Sequence, residues 1–330
     1  AAGGRVHLVV AADTSEEADL GGDVVADKDA VRQLFQSNVP ADRLTVTTIE
    51  GDRLSPQSVL GAVGALDVKR YEDSVVFYFT GHGAFDPDRG HFFALPRQTQ
   101  LLRSELEMAI IRREPRTAVT ITDCCAGGAR YRGKGPMMSK PRPIPTVVSP
   151  LFRSLLFDRC GLVSISSSMP GEISLTRGDG KGSLFTYPFV GIVGRNARRP
   201  LGWDDLVVEV RSQVKRDFQQ VTKGKGLDTT GDNRPDQHTQ TVHALMITPA
   251  LGLRVQQQGD QLKVTEVVPL SPAFHALLEV ADVVLAINGA PLRTEEEFSA
   301  AVDRSPRTMT IRVRDHRTSE ETQVQAHLNP

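Results

Sequence analysis

The sequence contains little cysteine: three residues in 330, of which Cys124 and Cys125 are adjacent. So few cysteines cannot form a disulfide framework, which favours a reducing compartment and predicts a cytoplasmic protein. No apolar run approaches the roughly 18 residues that a membrane span needs. The opening residues also lack the charged and apolar segments of a signal peptide. We therefore expect neither a disulfide-rich secreted scaffold nor a membrane partner.

The chain also has almost no excess of positive or negative charge, because its formal net charge is −1. A general nucleic-acid binder should be strongly basic, so we expect no nucleic-acid partner. Hydrophobic residues make up 39% and charged residues 24%, an ordinary globular balance. At 330 residues the chain is longer than one hydrophobic core usually supports, which predicts two domains.

Apolar strand patterns alternate with helical patterns through the first two thirds of the chain. The strand patterns are "RVHLVVAA", "LTVTTIE", "SVVFYFT", "TAVTIT", "GLVSIS" and "TVHALMIT", and the helical ones include "DKDAVRQLFQ", "SPQSVLGAVGAL" and "WDDLVVEVRSQVKRDF". Continuous apolar strands separated by helices are typical of a mostly parallel sheet covered on both faces. This predicts a three-layer α/β sandwich.

Two changes in composition mark the organisation of the chain. Residues 130–153 are rich in proline and glycine, basic, and free of acidic residues, which predicts an exposed, mobile connection. After Pro249 the sequence becomes strand-rich and compact. The predicted domains are therefore residues 1–249 and residues 250–330.

Two of the predicted strands end in chemically suggestive residues. "SVVFYFT" continues into Gly81-His82-Gly83, and "TAVTIT" continues into Asp123-Cys124-Cys125. Functional groups collect beyond the carboxyl ends of parallel strands, and a histidine can take the proton that makes a thiol nucleophilic. The separation of 43 positions from His82 to Cys125 allows one excursion between adjacent strands. The pattern predicts a Cys/His pair at one sheet edge.

"FYFTGHG" and "ITDCCAGG" resemble the two active-site motifs of the caspase/metacaspase family, whose His–Cys spacing is part of that likeness. The later "SISSSMPGEISL" and "GSLFTYPFVGIV" resemble the small-subunit half of metacaspases. The resemblance implies a cysteine endopeptidase with His82 as base and Cys125 as nucleophile. It also implies that the backbone N–H groups of Gly83 and Cys125 stabilise the oxyanion. No third residue is expected to orient the imidazole.

The resemblance also implies a specificity pocket formed by Asp27, Thr80 and Asp123. Two carboxylates in a confined pocket favour a cation, and arginine over lysine, before the scissile bond. Asp23 remains an alternative to Asp27, because "LGGDVVAD" is one residue longer than the metacaspase pattern. Asp123 has a second interpretation, as a cap for the turn that follows it.

The C-terminal residues resemble a PDZ domain of the bacterial protease type, in "ALGLRV", "VTEVVPLSPAF" and "ADVVLAINGAPL". Such domains bind the carboxyl terminus of a peptide as an added strand, so a peptide ligand is an expected partner. By position, the carboxylate-binding turn is Leu251-Gly252-Leu253. The usual Gly-Asp before the fourth strand is Ala281-Asp282 here.

Several alternatives stay open at this stage. The chain could be a catalytically silent scaffold acting through the PDZ domain, a peptidase with acidic specificity, or a different enzyme on the same sheet, such as another Cys/His hydrolase or an Asn-specific peptidase. We predict no metal or cofactor: Asp228, Asp232 and Asp236 invite a calcium interpretation, but their spacing does not fit an EF-hand. A basic-specific peptidase could activate itself, as a zymogen does, by cleavage at Arg130, Arg132, Lys134, Lys140, Arg142 or Arg153.

Overall fold

The computed structural model describes residues 3–18, 20–125, 145–177 and 180–329. The described residues divide into two compact units. The second unit comprises Asp158–Leu162 and the residues from Met246 onward, and the first comprises the rest. No described helix is both long enough and apolar enough to cross a membrane.

Nine of the described strands lie wholly or largely in the first unit. They are β1 (Val6–Ala12), β2 (Leu44–Glu50), β3 (Ser74–Thr80), β4 (His82–Asp86), β5 (Gly90–Leu95), β6 (Thr99–Leu102), β7 (Thr117–Asp123), β8 (Gly161–Ser166) and β9 (His243–Ile247). Six of them form one sheet in the order β2-β1-β3-β7-β8-β9, in which the pairs β1–β2, β1–β3 and β3–β7 are parallel. β4, β5 and β6 form a separate antiparallel sheet.

Helices form the outer layers of this unit. They are α1 (Gly21–Gln36), α2 (Pro56–Gly64), α3 (Arg103–Ile111), α4 (Pro150–Leu156), α5 (Thr186–Arg195) and α6 (Trp203–Val221). α5 packs against both α1 and α6, whereas α2 packs against α3. Every residue of β1, β3, β7 and β8 is buried, as expected for parallel strands covered on both faces. The predicted three-layer α/β sandwich is confirmed.

The local sequence explains several boundaries. Ser55 accepts a hydrogen bond from the N–H of Ser58 and precedes Pro56, so α2 begins where the cap and proline pattern predicts. The predicted exposed connection extends too far, because Pro150 begins helix α4 and Leu151 and Phe152 are buried. The apolar "PLF" segment packs into the core once Ser149 caps the helix. Residues 126–144 lie outside the described residues.

The second unit is rich in antiparallel strands. They are β10 (Leu253–Gln258), β11 (Gln261–Val267), β12 (Val283–Ile287), β13 (Ala290–Pro291), β14 (Thr308–Arg314) and β15 (Glu321–His327), with helices α7 (Pro272–His275) and α8 (Glu295–Asp303). The sheet order is β10-β11-β12-β14-β15, so β10 is an edge strand. A separate core that includes Leu262, Phe298 and Ile311 fills this unit.

Candidate active site

The parallel pairing of β3 and β7 brings the two motifs together. Thr80 and Asp123 are register partners at the ends of these strands, and the N–H of Gly81 donates to the carbonyl of Asp123 at 3.1 Å. His82 and Cys125 each follow two residues after this last pair. Both therefore emerge at the same edge of the sheet, and both line one cavity.

Close contacts explain the glycines beside His82. A Cβ on Gly81 would lie 2.8 Å from the Phe79 ring. A Cβ on Gly83 would lie 2.8 Å from the Cys124 sulfur and 3.0 Å from the Cys125 carbonyl oxygen. The second glycine thus lets β4 pass directly against the Cys124–Cys125 segment.

A backbone carbonyl orients the His82 ring. Its Nε2 lies 2.6 Å from the carbonyl oxygen of Ala18, in the short 3₁₀ turn Glu16–Ala18 after β1. A carbonyl only accepts, so Nε2 carries the proton and Nδ1 keeps the lone pair that a base requires. Sequence reasoning missed this group, because a backbone acceptor distant in sequence leaves no residue-type signal.

The Cys125 thiol is held in a protonated state. The side chain is buried, and its Sγ donates to the carbonyl oxygen of Ser174 at 3.4 Å. Burial raises the pKa of Cys125 to about 11, and the carbonyl acceptor favours the protonated thiol over the thiolate. Activation therefore requires a base and a change in these surroundings.

Two carboxylates line the same cavity as His82 and Cys125. Asp27 and Asp123 are both buried there, beside Thr80. Burial raises the pKa of Asp27 well above its ordinary value, and the charge of Asp123 raises it further. Burial also raises the pKa of Asp123, against the lowering effect of hydrogen bonds from Ser183, Thr186 and Ser174. Asp23 is buried too but does not line the cavity, so the structure brings Asp27 into the cavity.

Hydroxyl and backbone donors from the segments 174–177 and 182–186, here called the pocket wall, hold these carboxylates. Asp123 accepts from the hydroxyls of Ser174 at 3.2 Å, of Thr186 at 2.5 Å, and of Ser183. The Ser183 N–H donates to both Asp27 oxygens at 3.1 Å. Asp123 also accepts from the N–H of Thr186, the first residue of α5. Asp123 therefore caps the distant helix α5, whereas the expected cap was of the turn that follows Asp123.

The predicted carboxylate-binding turn lies at one end of a groove in the second unit. Gly252 has φ +75°, and a Cβ there would lie 2.3 Å from the Ser271 side chain, so the turn requires glycine. A groove of about 330 Å³ follows this turn along the edge strand β10 and faces α8. Its lining includes all three turn residues, with Val255, Phe298 and Val302.

Comparisons with known proteins agree with this architecture. The caspase domain family matches residues 19–241, more than half of the chain. The chain belongs to the caspase-domain family of cysteine peptidases. The PDZ domain family matches residues 249–328, so the second unit contains a PDZ domain.

Solved structures give the same fold for the caspase domain. Caspase-1 from Spodoptera frugiperda is 12% identical with a TM-score of 0.50, over 74% of this chain and 87% of that one. The HtrA3 PDZ domain bound to a phage-derived ligand, FGRWV, is 22% identical with a TM-score of 0.22, over 24% of this chain and 82% of that one. The comparison with curated proteins found no match.

The caspase domain buries the other thiol of the adjacent pair in different surroundings. The Cys124 sulfur lies 3.4 Å from Nε2 of His91. Arg103 contacts the other nitrogen of this ring at 3.5 Å and donates to the Thr122 hydroxyl at 2.6 Å. Burial, with the charge of Arg103, lowers the pKa of His91 to about 4, and burial raises that of Cys124 well above its ordinary value. His91 is thus a neutral packing partner of Cys124.

In the acidic loop of the caspase domain, which contains Asp228, Asp232 and Asp236, side chains accept hydrogen bonds from the backbone of the same loop. Asp228 accepts from the N–H groups of Thr230, Gly231 and Asn233. Among the described residues the only potential metal-ligating group of three side chains is Asp282, Asp315 and His316 in the PDZ unit. Asp228, Asp232 and Asp236 do not form such a group of three side chains.

Proposed function

We propose that this chain is a metacaspase-type cysteine endopeptidase that cleaves after arginine and, less efficiently, after lysine. His82 takes the Cys125 proton through Nδ1, and the thiolate attacks the scissile carbonyl carbon. The N–H groups of Gly83 and Cys125 donate to the resulting oxyanion. His82 then protonates the leaving amine, and water hydrolyses the acyl-enzyme.

A single observation carries this proposal: one cavity contains the Cys/His pair and two buried carboxylates. No lysine or arginine belongs to the described residues that line it. Two confined carboxylates with raised pKa values are stabilised when a cation enters. A guanidinium matches carboxylates in bidentate fashion, which favours arginine.

Matched peptides test the specificity. The full-length protein and its Cys125→Ala variant are incubated with peptides that carry Arg, Lys, Gln or Asp before the bond, with and without calcium. We expect turnover by the wild type alone, with Arg above Lys and both far above Gln and Asp. A preference for Asp would overturn the basic specificity, and the calcium arm measures any dependence on that ion.

A second candidate is a catalytically silent scaffold that acts through the PDZ groove. The surroundings of Cys125 favour it, because the thiol is buried and donates to the Ser174 carbonyl, and burial raises its pKa to about 11. A C-terminal peptide would then be bound by the turn Leu251-Gly252-Leu253. In the peptidase, the same groove recruits substrate or restrains the enzyme. Failure of every peptide above to be cleaved would favour the scaffold.

Self-cleavage in the 130–153 segment is the proposed activation step. Arg130, Arg132, Lys134, Lys140 and Arg142 lie outside the described residues. Arg153 lies within helix α4, where its N–H donates to the Ser149 carbonyl, so cleavage after Arg153 requires this helix to open locally. Mass spectrometry of the incubated protein identifies the sites that are cut.

A further inference from the structure

Ser174 joins the nucleophile to the carboxylate pocket. Its hydroxyl donates to Oδ1 of Asp123 at 3.2 Å, and its carbonyl oxygen accepts from the Cys125 thiol at 3.4 Å. The side-chain amide of Gln240 donates to the same hydroxyl at 3.0 Å, and the Gln240 carbonyl accepts from the N–H of Leu175. One residue of the pocket wall therefore contacts both functional parts of the site.

The cavity is too small for the cation that it is proposed to bind. Its volume is about 30 Å³, which holds one or two water molecules. An arginine side chain is far larger. The pocket wall also occupies the carboxylate oxygens, through Ser183 at Asp27 and through Ser174 at Asp123. A cation can enter only if part of this wall moves.

We propose that the cationic side chain of the substrate is itself the trigger that frees the nucleophile. As the cation pairs with Asp123 and Asp27, the Ser174 hydroxyl gives up Oδ1 of Asp123 and Ser174 moves outward. Its carbonyl then leaves the Cys125 thiol, whose proton can pass to His82. This inference rests on the proposed basic specificity and adds a coupling between substrate recognition and thiol reactivity.

Because of the coupling, the enzyme discriminates between arginine peptides and uncharged peptides at the chemical step. When a peptide without a cation binds, the Cys125 thiol still donates to the Ser174 carbonyl. When an arginine peptide binds, the thiol has lost that acceptor. Binding energy from the substrate side chain is thereby used to assemble the reactive state, as in induced fit. Part of the preference for arginine should therefore appear in kcat as well as in KM.

Alkylation of Cys125 tests the coupling without peptide cleavage. Iodoacetamide is uncharged: the sulfur bonds to its CH₂ carbon as iodide leaves, and the thiol proton passes to His82 and then to the buffer. The probe for the pocket is n-butylguanidine, and its neutral isostere butylurea is the control. The full-length protein is alkylated with each, and mass spectrometry separates modification of Cys125 from that of Cys124.

We expect butylguanidine to accelerate Cys125 alkylation by roughly three- to tenfold, the factor for release of one hydrogen bond of ordinary net strength. Butylurea should have no effect. If butylguanidine merely occupied a site beside the thiol, it would instead slow alkylation. The coupling and simple occupancy therefore predict opposite changes in the alkylation rate.

Two serine variants test whether Ser174 connects Asp123 to the Cys125 thiol. Ser174→Ala lacks the hydroxyl that connects Asp123 to the thiol's acceptor, so the acceleration should disappear. Ser183→Ala removes a hydroxyl from the other Asp123 oxygen, Oδ2, without involving the Ser174 link, so it should keep the acceleration. Melting curves with butylguanidine confirm that each variant is folded and binds the cation.

The outcomes distinguish the coupling through Ser174 from the basic specificity on which it rests. Acceleration in the wild type that is lost only in Ser174→Ala supports the coupling. If butylguanidine raises the melting temperature and arginine peptides are cleaved, but alkylation is unchanged or slowed, the coupling is wrong and the specificity stands. If butylguanidine does not bind and arginine peptides are not cleaved, the basic specificity fails and the coupling fails with it.

Discussion

At the scale of single residues, Cys124 and Cys125 differ in what surrounds their sulfur atoms. The Cys124 sulfur contacts His91 and lies against Gly83, whereas the Cys125 thiol donates to the Ser174 carbonyl, and both residues line the cavity that His82 lines. Adjacent residues at a strand end point in opposite directions, which explains why the two sulfur atoms have different partners.

This difference predicts opposite results for two matched variants. Cys125→Ala should lower turnover of an arginine peptide by at least about a thousandfold, because no other described group replaces the nucleophile. Cys124→Ala should keep much of the activity and lower stability instead. Turnover and melting curves measure both. An inactive Cys124 variant beside an active Cys125 variant would place the nucleophile one residue earlier.

Asp27 gives a pH-dependent prediction. Its pKa is raised on folding, so the folded state binds more protons than the unfolded state between the two pKa values. Stability contributed by this group is therefore lost as pH rises from the ordinary carboxyl range through the raised pKa. Asn does not titrate, so Asp27→Asn should raise the melting temperature at pH 7.5 by about 2–4 °C, as ~1 kcal/mol does in a domain of this size.

The same variant should weaken turnover of arginine peptides, because it removes one of the two carboxylates. Melting curves at pH 4.5 and 7.5 test the stability part, and the gain should shrink at the lower pH. Asp29→Asn is the matched control, since Asp29 is an exposed acid on the same helix. A gain that is equal at both pH values would contradict the assigned burial effect.

At the scale of elements, the turn before β12 contains a strained residue. Ala281 has φ +79°, in the left-handed region that costs an L-residue roughly 1–2 kcal/mol. Its N–H donates to Val264, and its successor Asp282 accepts from His316 and Glu279, so neighbouring contacts hold the conformation. The resemblance to PDZ domains implies glycine at this position.

Replacing Ala281 by glycine should therefore stabilise the PDZ unit. We expect Ala281→Gly to increase the free energy of unfolding by about 0.5–1 kcal/mol, because relief of the left-handed strain exceeds the entropy cost of glycine. Ala286→Gly, within strand β12, is the control and should be destabilising. Denaturant unfolding measures both, and a loss of stability in Ala281→Gly would contradict the strain.

At the scale of the whole molecule, the second unit includes a short segment, Asp158–Leu162, that contains the start of β8. The Asn329 side chain holds this segment in the second unit. It accepts from the N–H of Cys160 at 2.8 Å and donates to the carbonyls of Cys160 at 2.9 Å and of Pro249 at 3.0 Å. The sequence predicts a boundary at residue 250, whereas the compact unit also contains Asp158–Leu162.

We therefore expect truncation after residue 249 to leave a folded caspase domain of lower stability. The Cys160 backbone groups lose their partner, and each buried unsatisfied group costs about 1–3 kcal/mol. Cleavage of short peptides should persist, while cleavage of a protein substrate should fall if the PDZ groove recruits it. Asn329→Ala in the full chain should reproduce part of the lost stability. Absence of soluble truncated protein would show that the predicted boundary is wrong.

The sequence by itself determined the sandwich, the PDZ fold and the meeting of the two motifs. Strand periodicity and turn residues are local signals, and parallel strands such as β3 and β7 necessarily end at one edge. It also identified Asp27 and Asp123 as pocket candidates, through residues that resemble a family.

Only the tertiary structure decided how those residues are held. The Ala18 carbonyl that orients His82 and the wall hydroxyls at Asp123 come from distant segments, and backbone groups or common serines carry no signal in a single sequence. Gln240 and Gln237, in a loop whose sequence predicts full solvation, are buried, Gln240 against Leu175 of the wall and Gln237 against the neighbouring Ile173. Local patterns specify elements, whereas hydrogen bonds between elements exist only after packing removes water from between them.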